Sequence, residues 1–209
     1  LAEKNDHIAD MTLFVLQRTL RDLAQWHGAG IEVKAAVNIS ARLLISPAFF
    51  DAVGAALQVS DTSASDLIFE VTESATMADP AAALRALEGY RRMGIMISLD
   101  DYGTGQSTLT YLKTLPLGEL KIDRSFVENA HEDSSDALLV RSTVNLAHAL
   151  GLQVVAEGIE TVECLDFLRE VGCDLAQGYF VSRPLPASEL LTLCLSNSTS
   201  PKTPVRTAA

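Results

Sequence analysis

Polar side chains stand at or near the carboxyl ends of six segments that the sequence predicts as strands. They are Asn38, Glu70, Asp100 with Asp101, Lys121, Glu157 and Gln177. Carboxylate and amide oxygens, with no histidine or cysteine among them, favour Mg²⁺ or Mn²⁺ over zinc. Carboxylates that converge on one point repel one another and raise their pKa values, so a bound cation is the simplest way to neutralise them. The set predicts a site for hard divalent cations.

The adjacent pair Asp100 and Asp101 suggests a particular chemistry. Two ions that share one aspartate, about 3.5–4 Å apart, are a known arrangement for phosphodiester hydrolysis. In such a site Lys121 would position or polarise the attacking water, or hold a phosphate oxygen. Taken singly, each residue has an ordinary interpretation, since strand-end carboxylates often cap helices and lone lysines lie on surfaces. The prediction depends on the joint pattern.

The elements that must position these residues alternate along the chain. Strands are predicted at residues 32–38, 67–72, 95–100, 119–123, 152–157 and 174–177. Helices are predicted at residues 8–26, 46–58, 79–93, 107–113, 135–150, 161–171 and 187–194. The strands are continuous apolar runs, which indicates a parallel sheet covered by helices on both faces.

Two α/β folds fit this alternation, a (β/α)8 barrel and a doubly wound open sheet. A barrel collects its active-site residues from the ends of many strands, whereas an open sheet binds its ligand at one crevice. Polar residues at six strand ends therefore favour the barrel. The segment after the third strand has two glycines of a dinucleotide fingerprint, but Thr108 replaces the third, so that interpretation is weak.

Composition excludes several classes of protein. The chain has 209 residues with 16 Lys and Arg against 27 Asp and Glu, a formal net charge of -11. This charge argues against a nucleic-acid polymer as partner, because such binders need basic surfaces. No apolar run approaches the ~20 residues of a membrane span. Three cysteines without a C-x-x-C pair are typical of a reducing compartment, so we expect a cytoplasmic protein.

Six motifs, in order and spacing, resemble the EAL domains, a family of phosphodiesterases that act on cyclic di-GMP. They are AVNIS (36–40), FEVTES (69–74), LDDYGTG (99–105), LKIDRSFV (120–127), VVAEGIET (154–161) and QGYFVSRPLP (177–186). The resemblance covers residues 1–195, and the polar residues 196–209 are expected to be a disordered tail. It implies a (β/α)8 TIM-type barrel that hydrolyses this bacterial second messenger to linear pGpG with two Mg²⁺ or Mn²⁺ ions.

The resemblance also implies metal ligands, residue by residue. Asn38, Glu70 and Asp100 resemble the ligands of the first metal. Asp100 would also bind the second ion, whose other ligands would be Asp101 and Glu157.

Further roles follow from the same resemblance. Lys121 resembles the lysine that orients the hydrolytic water, and Gln177 the glutamine beside that water, so both join Glu157 as expected catalytic residues. Glu73 is similar to the glutamate that braces the loop after Asp101. In the family this loop takes part in dimer formation, and a homodimer is therefore expected.

The sequence departs from the family pattern in two places. The E-A-L segment, whose glutamate is another ligand of the first metal, is absent, and we expect it ahead of Leu1 together with the first two barrel strands. About six βα units then remain, and we expect little activity from these 209 residues alone. The loop also carries Tyr102 and Gln106 where the family usually has Phe and Tyr.

Two functions are consistent with the pattern. The first is an active phosphodiesterase, because every metal ligand that the chain covers is present. The alternative is a non-catalytic receptor for cyclic di-GMP, or a protein-interaction module derived from an EAL domain. In either case the family leads us to expect sensor or diguanylate-cyclase-like domains upstream, and membrane anchoring of the parent protein is left open.

Overall fold

The computed structural model describes residues 7–103 and 109–197 of the chain. They fall into two compact units. Of the described residues, the first unit contains those up to Ser98 together with Thr110–Pro116, and the second contains residues 99–103, Leu109 and those from Leu117 to residue 197.

The described residues form six strands and ten α-helices, and each strand is followed by one or two of the helices. The strands are β1 (Ala35–Asn38), β2 (Leu67–Thr72), β3 (Met96–Tyr102), β4 (Glu119–Ile122), β5 (Gln153–Ala156) and β6 (Leu175–Ala176). The helices are α1 (His7–Gly28), α2 (Ala41–Leu44), α3 (Pro47–Gln58), α4 (Glu73–Met77), α5 (Pro80–Met93), α6 (Leu109–Thr114), α7 (Arg124–Val127), α8 (Ser134–Ala149), α9 (Val162–Glu170) and α10 (Ala187–Asn197).

The strands lie in the sheet in the order in which they occur along the chain, from β1 to β6. The pairs β1–β2, β4–β5 and β5–β6 are parallel. A doubly wound sheet reverses its strand order at a switch point, whereas a (β/α) barrel keeps sequence order. The uninterrupted order therefore agrees with the predicted barrel topology and excludes the open-sheet alternative.

In the first unit, α1 packs against α3 and β1. Its buried face includes Leu16, Leu20 and Leu23, which are spaced three and four residues apart, as expected of an amphipathic helix. β2 is buried on both faces, as its largely apolar sequence predicts.

Local signals set several helix ends of this unit. Ser46 caps α3 by accepting a hydrogen bond from the backbone N–H of Phe49, and Asp79 caps α5 by accepting one from Ala82. A proline follows each cap, where its fixed φ suits the first helical turn. α5 ends at Gly94, which has φ 100°. The predicted bounds of both helices are confirmed.

In the second unit, α8 packs against α7, β4 and β5. All four residues of β4 are buried, among them the polar Glu119 and Lys121. The central part of β5 is buried too, with Val154 and Val155 fully inaccessible to solvent. A lysine in the middle of such a strand requires charged partners.

The structure differs from the sequence prediction mainly in short elements. The one-turn helices α2, α4 and α7 each follow a strand closely, and they are too short for an apolar period to indicate them. β6 has only two residues, against the four predicted. α10 extends to Asn197, so residues 196 and 197 are helical where a tail was predicted, and residues 198–209 lie outside the described residues. The predicted helix at 107–113 is seen as Leu109–Thr114, and its first two positions also lie outside them.

Within residues 7–103 and 109–197, no helix combines the length and the apolar character needed to cross a bilayer.

The cap of α5 provides a test of how far local signals stabilise the first unit. Asp79→Ala should lower the free energy of unfolding by about 1 kcal/mol, because the N–H of Ala82 loses its acceptor. Asp79→Asn is the matched control, since asparagine caps equally well and should be nearly neutral. Urea denaturation measures both variants, and equal losses would contradict the capping role.

Candidate active site

A buried ammonium group lies at the centre of the second unit. Lys121 projects from β4 with only 3% of its side chain exposed. Its Nζ lies 2.7 Å from Glu157 Oε1 and 3.2 Å from Asp100 Oδ1. Both distances are those of charge-assisted hydrogen bonds or close ion pairs, which stabilise a buried charge that would otherwise be costly.

The sheet brings these three residues together. Asp100 lies on β3, Lys121 on β4, and Glu157 directly follows β5. The N–H of Glu157 donates to the carbonyl of Ile122 at 3.2 Å, which continues the β4–β5 pairing by one residue. Three successive strands thus deliver one cation and two carboxylates to their carboxyl ends, where barrel active sites lie.

Asp101 completes a cluster of three carboxylates. One carboxylate oxygen of each of Asp100, Asp101 and Glu157 lies within 4.8 Å of one carboxylate oxygen of each of the other two. Of the described residues, Asp101 is the one non-glycine residue with a positive φ, 56°, and its N–H donates to Asp100 Oδ1 at 3.1 Å. Backbone strain of this kind is concentrated at functional sites.

The electrostatics of Asp101 favour a bound cation. Burial raises the pKa of its carboxyl group, and the negative charges of Asp100 and Asp123 raise it further, while Lys121 lowers it. Negative charge therefore exceeds positive charge around this side chain. The donors are hard oxygens, and their clustering fits a Mg²⁺ or Mn²⁺ ion. The predicted acidic cluster that could hold a metal ion is thus present at these three residues.

The backbone after Asp101 is supported by an aromatic ring. Gly103 has φ 102°, and a Cβ atom there would lie 3.0 Å from Cε2 of Phe126 on α7. Glycine therefore suits this position both in conformation and in space. The residues that follow, including Gln106, lie outside the described residues.

Asn38 and Glu70 come together in the first unit. They are register partners across β1 and β2, and Glu70 is buried whereas Asn38 is exposed. Glu73 begins α4 and is buried, and its carbonyl accepts a hydrogen bond from the hydroxyl group of Thr76. The metal roles of Asn38 and Glu70, and the bracing role of Glu73, stay predictions.

Gln177 is held by its backbone. Its N–H donates to the carbonyl of Ala156 at 2.9 Å, and its own carbonyl accepts from the N–H of Ile159 at 3.1 Å. The next residue, Gly178, contacts the backbone of Ile159 so closely that a Cβ atom would lie 2.2 Å from the Ile159 carbonyl oxygen. The position after β6 is therefore tied to the turn after β5, although the role of the Gln177 side chain stays a prediction.

Sequence reasoning missed the residues that support this turn. Gly158, Gly178 and Arg124 carry no catalytic chemistry, and their importance lies in close contacts between segments distant in sequence. A weak signal was present, because each glycine directly follows a predicted site residue, and glycine at such places often marks close backbone approach.

Comparison with known proteins assigns the family. The family model described as the EAL domain matches residues 1–184. The chain belongs to the EAL domain family. The family prediction made from the six motifs is confirmed.

Named relatives and solved structures agree with this assignment. The bifunctional diguanylate cyclase/cyclic di-GMP phosphodiesterase MucR of Pseudomonas aeruginosa is 43% identical over 192 residues, which is 91% of this chain and 28% of MucR. The cyclic di-GMP phosphodiesterase NbdA of the same organism is 43% identical over 91% of this chain and 24% of NbdA. The chain thus spans about a quarter of the length of these curated relatives.

The structure of the PaMucR phosphodiesterase in complex with c-di-GMP matches with a TM-score of 0.87 and 43% identity, covering 90% of this chain and 77% of that one. The EAL domain of Mycobacterium smegmatis DcpA matches with a TM-score of 0.85 and 33% identity, covering 90% and 85%. The fold is the (β/α)8-type fold of EAL domains, represented here by six of its strands, so the fold prediction is confirmed.

The contact of Gly178 with Ile159 predicts that two glycine-to-alanine substitutions will differ in their effect on stability. Gly178→Ala should destabilise the protein by about 2 kcal/mol or more, because the added methyl group meets backbone atoms that cannot rotate away. Gly54→Ala, inside α3 with ordinary space around it, should instead be neutral or stabilise by up to about 1 kcal/mol. Thermal unfolding of the two variants checks the prediction, and similar effects would refute it.

The buried ammonium group makes a second prediction. Lys121→Met should lower the free energy of unfolding by about 2 kcal/mol or more, since Asp100 and Glu157 lose their shared cation. Lys113→Met, on the exposed side of α6, should change it by less than about 0.5 kcal/mol. Chemical denaturation without added divalent cations measures both, and a Lys121→Met variant as stable as the control would disprove the central role of the ion pairs.

Proposed function

We propose that this chain carries the catalytic site of a metal-dependent phosphodiesterase that hydrolyses cyclic di-GMP to linear pGpG. One observation carries the proposal: three clustered carboxylates could share a cation at the carboxyl ends of neighbouring strands, and two of them also bind a buried lysine. The family membership and the named activities of MucR and NbdA support the choice of substrate.

We assign two Mg²⁺ or Mn²⁺ ions to the site. Asp100, Asp101 and Glu157 would hold the second ion, and the resemblance predicts that Asn38 and Glu70 join Asp100 at the first. When bound, such ions supply Lewis acidity to a phosphodiester and offset the charge that develops on its oxygens. They also reconcile an acidic site, in a chain of net charge -11, with a substrate that is itself an anion.

Side chains of the second unit would orient the attacking water and bind the phosphate. Lys121 is buried and anchored by two carboxylates, so its ammonium group is held in one position. An anchored ammonium group can orient a water molecule through its oxygen, or bind a phosphate oxygen, without reorganisation during the reaction. The Gln177 amide can both donate and accept hydrogen bonds, and the proposal places it beside the same water.

The family resemblance supports further proposals about the whole protein. These are a homodimer in which the loop after Asp101 takes part, a cytoplasmic location, and additional sensor or diguanylate-cyclase-like domains. The bifunctional name of MucR supports the last of these.

Isosteric removal of a carboxylate charge tests the catalytic proposal. Glu157→Gln and Asp101→Asn should each lower the rate of pGpG formation by about 100-fold or more, because a metal ligand is weakened. Glu170→Gln changes an exposed glutamate on α9 and should leave the rate unchanged. The resemblance predicts a further ligand ahead of Leu1, so the assay uses the protein at its natural length, with chromatographic separation of pGpG from cyclic di-GMP.

Two outcomes would contradict the proposal. A protein that binds cyclic di-GMP without divalent cations and never forms pGpG is a receptor, the alternative function. Hydrolysis that persists in a chelator, or in both site variants, would show that the carboxylate cluster is not the catalytic site.

A further inference from the structure

The turn after β5 is supported by a side chain that the catalytic proposal does not use. This turn consists of residues Glu157–Glu160, and it carries one of the carboxylates that bind Lys121. We propose that Arg124, the first residue of α7, is a positioning residue that holds this turn and so sets the place of the Glu157 carboxylate. Only the effect on metal binding described below rests on the proposed function.

The first contact is steric. Gly158 has φ 72°, a conformation that suits glycine. A Cβ atom at Gly158 would lie 2.3 Å from Cγ, 2.6 Å from Cβ and 2.7 Å from Cδ of Arg124. The aliphatic part of the arginine thus occupies the space that any other residue at position 158 would need. The aliphatic stem of a charged side chain can stabilise a structure by packing, independently of its charge.

The second contact is electrostatic. Arg124 Nη1 lies 3.0 Å from Glu160 Oε1, at the end of the turn, and Arg124 Nε lies 3.0 Å from Glu128 Oε2, one helical turn along the chain. A single exposed ion pair contributes little. Here, however, Glu128 orients the planar guanidinium group, so less side-chain entropy is lost when the pair with Glu160 forms.

Together these contacts secure the turn at its far end. Its near end is already attached to β4, because the N–H of Glu157 donates to the carbonyl of Ile122. Ile159 donates to the carbonyl of Gln177 in the middle of the turn. Arg124 adds the stem contact at Gly158 and the ion pair at Glu160. Without it, the segment that directly follows Glu157 would lose two of its contacts.

Amide hydrogen exchange tests the proposal without reference to metal or activity. In Arg124→Ala the amides of Glu157 and Ile159 should exchange about fivefold faster than in the wild type. The amides of Val154 and Val155 within β5 should not change, because their environment does not involve Arg124. Arg124→Lys keeps an aliphatic stem and a positive charge, and should restore most of the protection.

Arg169→Ala is the matched control. Arg169 lies in the same unit, is similarly exposed and pairs with Asp166 of its own helix at 2.9 Å. Its loss should leave the exchange of Glu157 and Ile159 unchanged. The proposal is overturned if Arg124→Ala leaves both amides as protected as in the wild type, or if it accelerates exchange equally throughout β5.

Mn²⁺ binding, monitored by electron paramagnetic resonance, measures how the loss of Arg124 affects the proposed metal site. Arg124→Ala should weaken Mn²⁺ binding by about tenfold, as expected when a residue that orients a ligand is removed. A chain that shows selective exchange but binds no Mn²⁺ would uphold the positioning role and refute the proposed metal site. Unchanged exchange in a chain that binds Mn²⁺ and forms pGpG would refute the positioning role and leave the function intact.

Coupling between the two steric partners gives a second test. Gly158→Ala should disturb the turn strongly in the wild type, because the new methyl group meets the arginine stem. In an Arg124→Ala background the same substitution should cost less, since the contacts with Cγ and Cδ are gone and only the Cβ atom of residue 124 and the backbone conformation then oppose it. Strictly additive effects on stability would show that the stem does not support the turn.

Discussion

The pairing of Lys121 with Asp100 and Glu157 is the interaction on which the second unit depends. An ammonium group on a buried strand is unfavourable unless carboxylates lie within a few ångström of it. Here the partners come from the strands on either side, so the pairing requires β3, β4 and β5 to be neighbours and to end at matching depths. The same requirement places Asp100, Lys121 and Glu157 together.

The excess of negative charge around this lysine gives the site its chemical character. Asp101 adds a third carboxylate through a backbone conformation that few residues adopt, and burial together with Asp100 and Asp123 raises its pKa. One ammonium group does not balance these charges. Divalent cations would offset them, and an anionic phosphodiester could then approach a site that would otherwise repel it.

Much of this organisation could be predicted from sequence. Polar residues at the ends of apolar segments indicated the sheet and its functional edge, and caps such as Asp79 and Gly94 set helix bounds because their effects are local. The one-turn helices were missed because they are too short for the apolar period of a helix to repeat. The contact of Arg124 with Gly158 was missed for a different reason. It joins residues distant in sequence, and it is possible only because glycine has no side chain.

The position of a metal ion relative to Lys121 tests the account most directly. Crystals of the protein grown with Mn²⁺ would reveal the ion by its anomalous scattering. We predict an anomalous peak in direct contact with oxygens of Asp100, Asp101 and Glu157, with Lys121 still buried beside it. An anomalous map without a peak at these carboxylates, with Lys121 still bound to Asp100 and Glu157, would contradict the account.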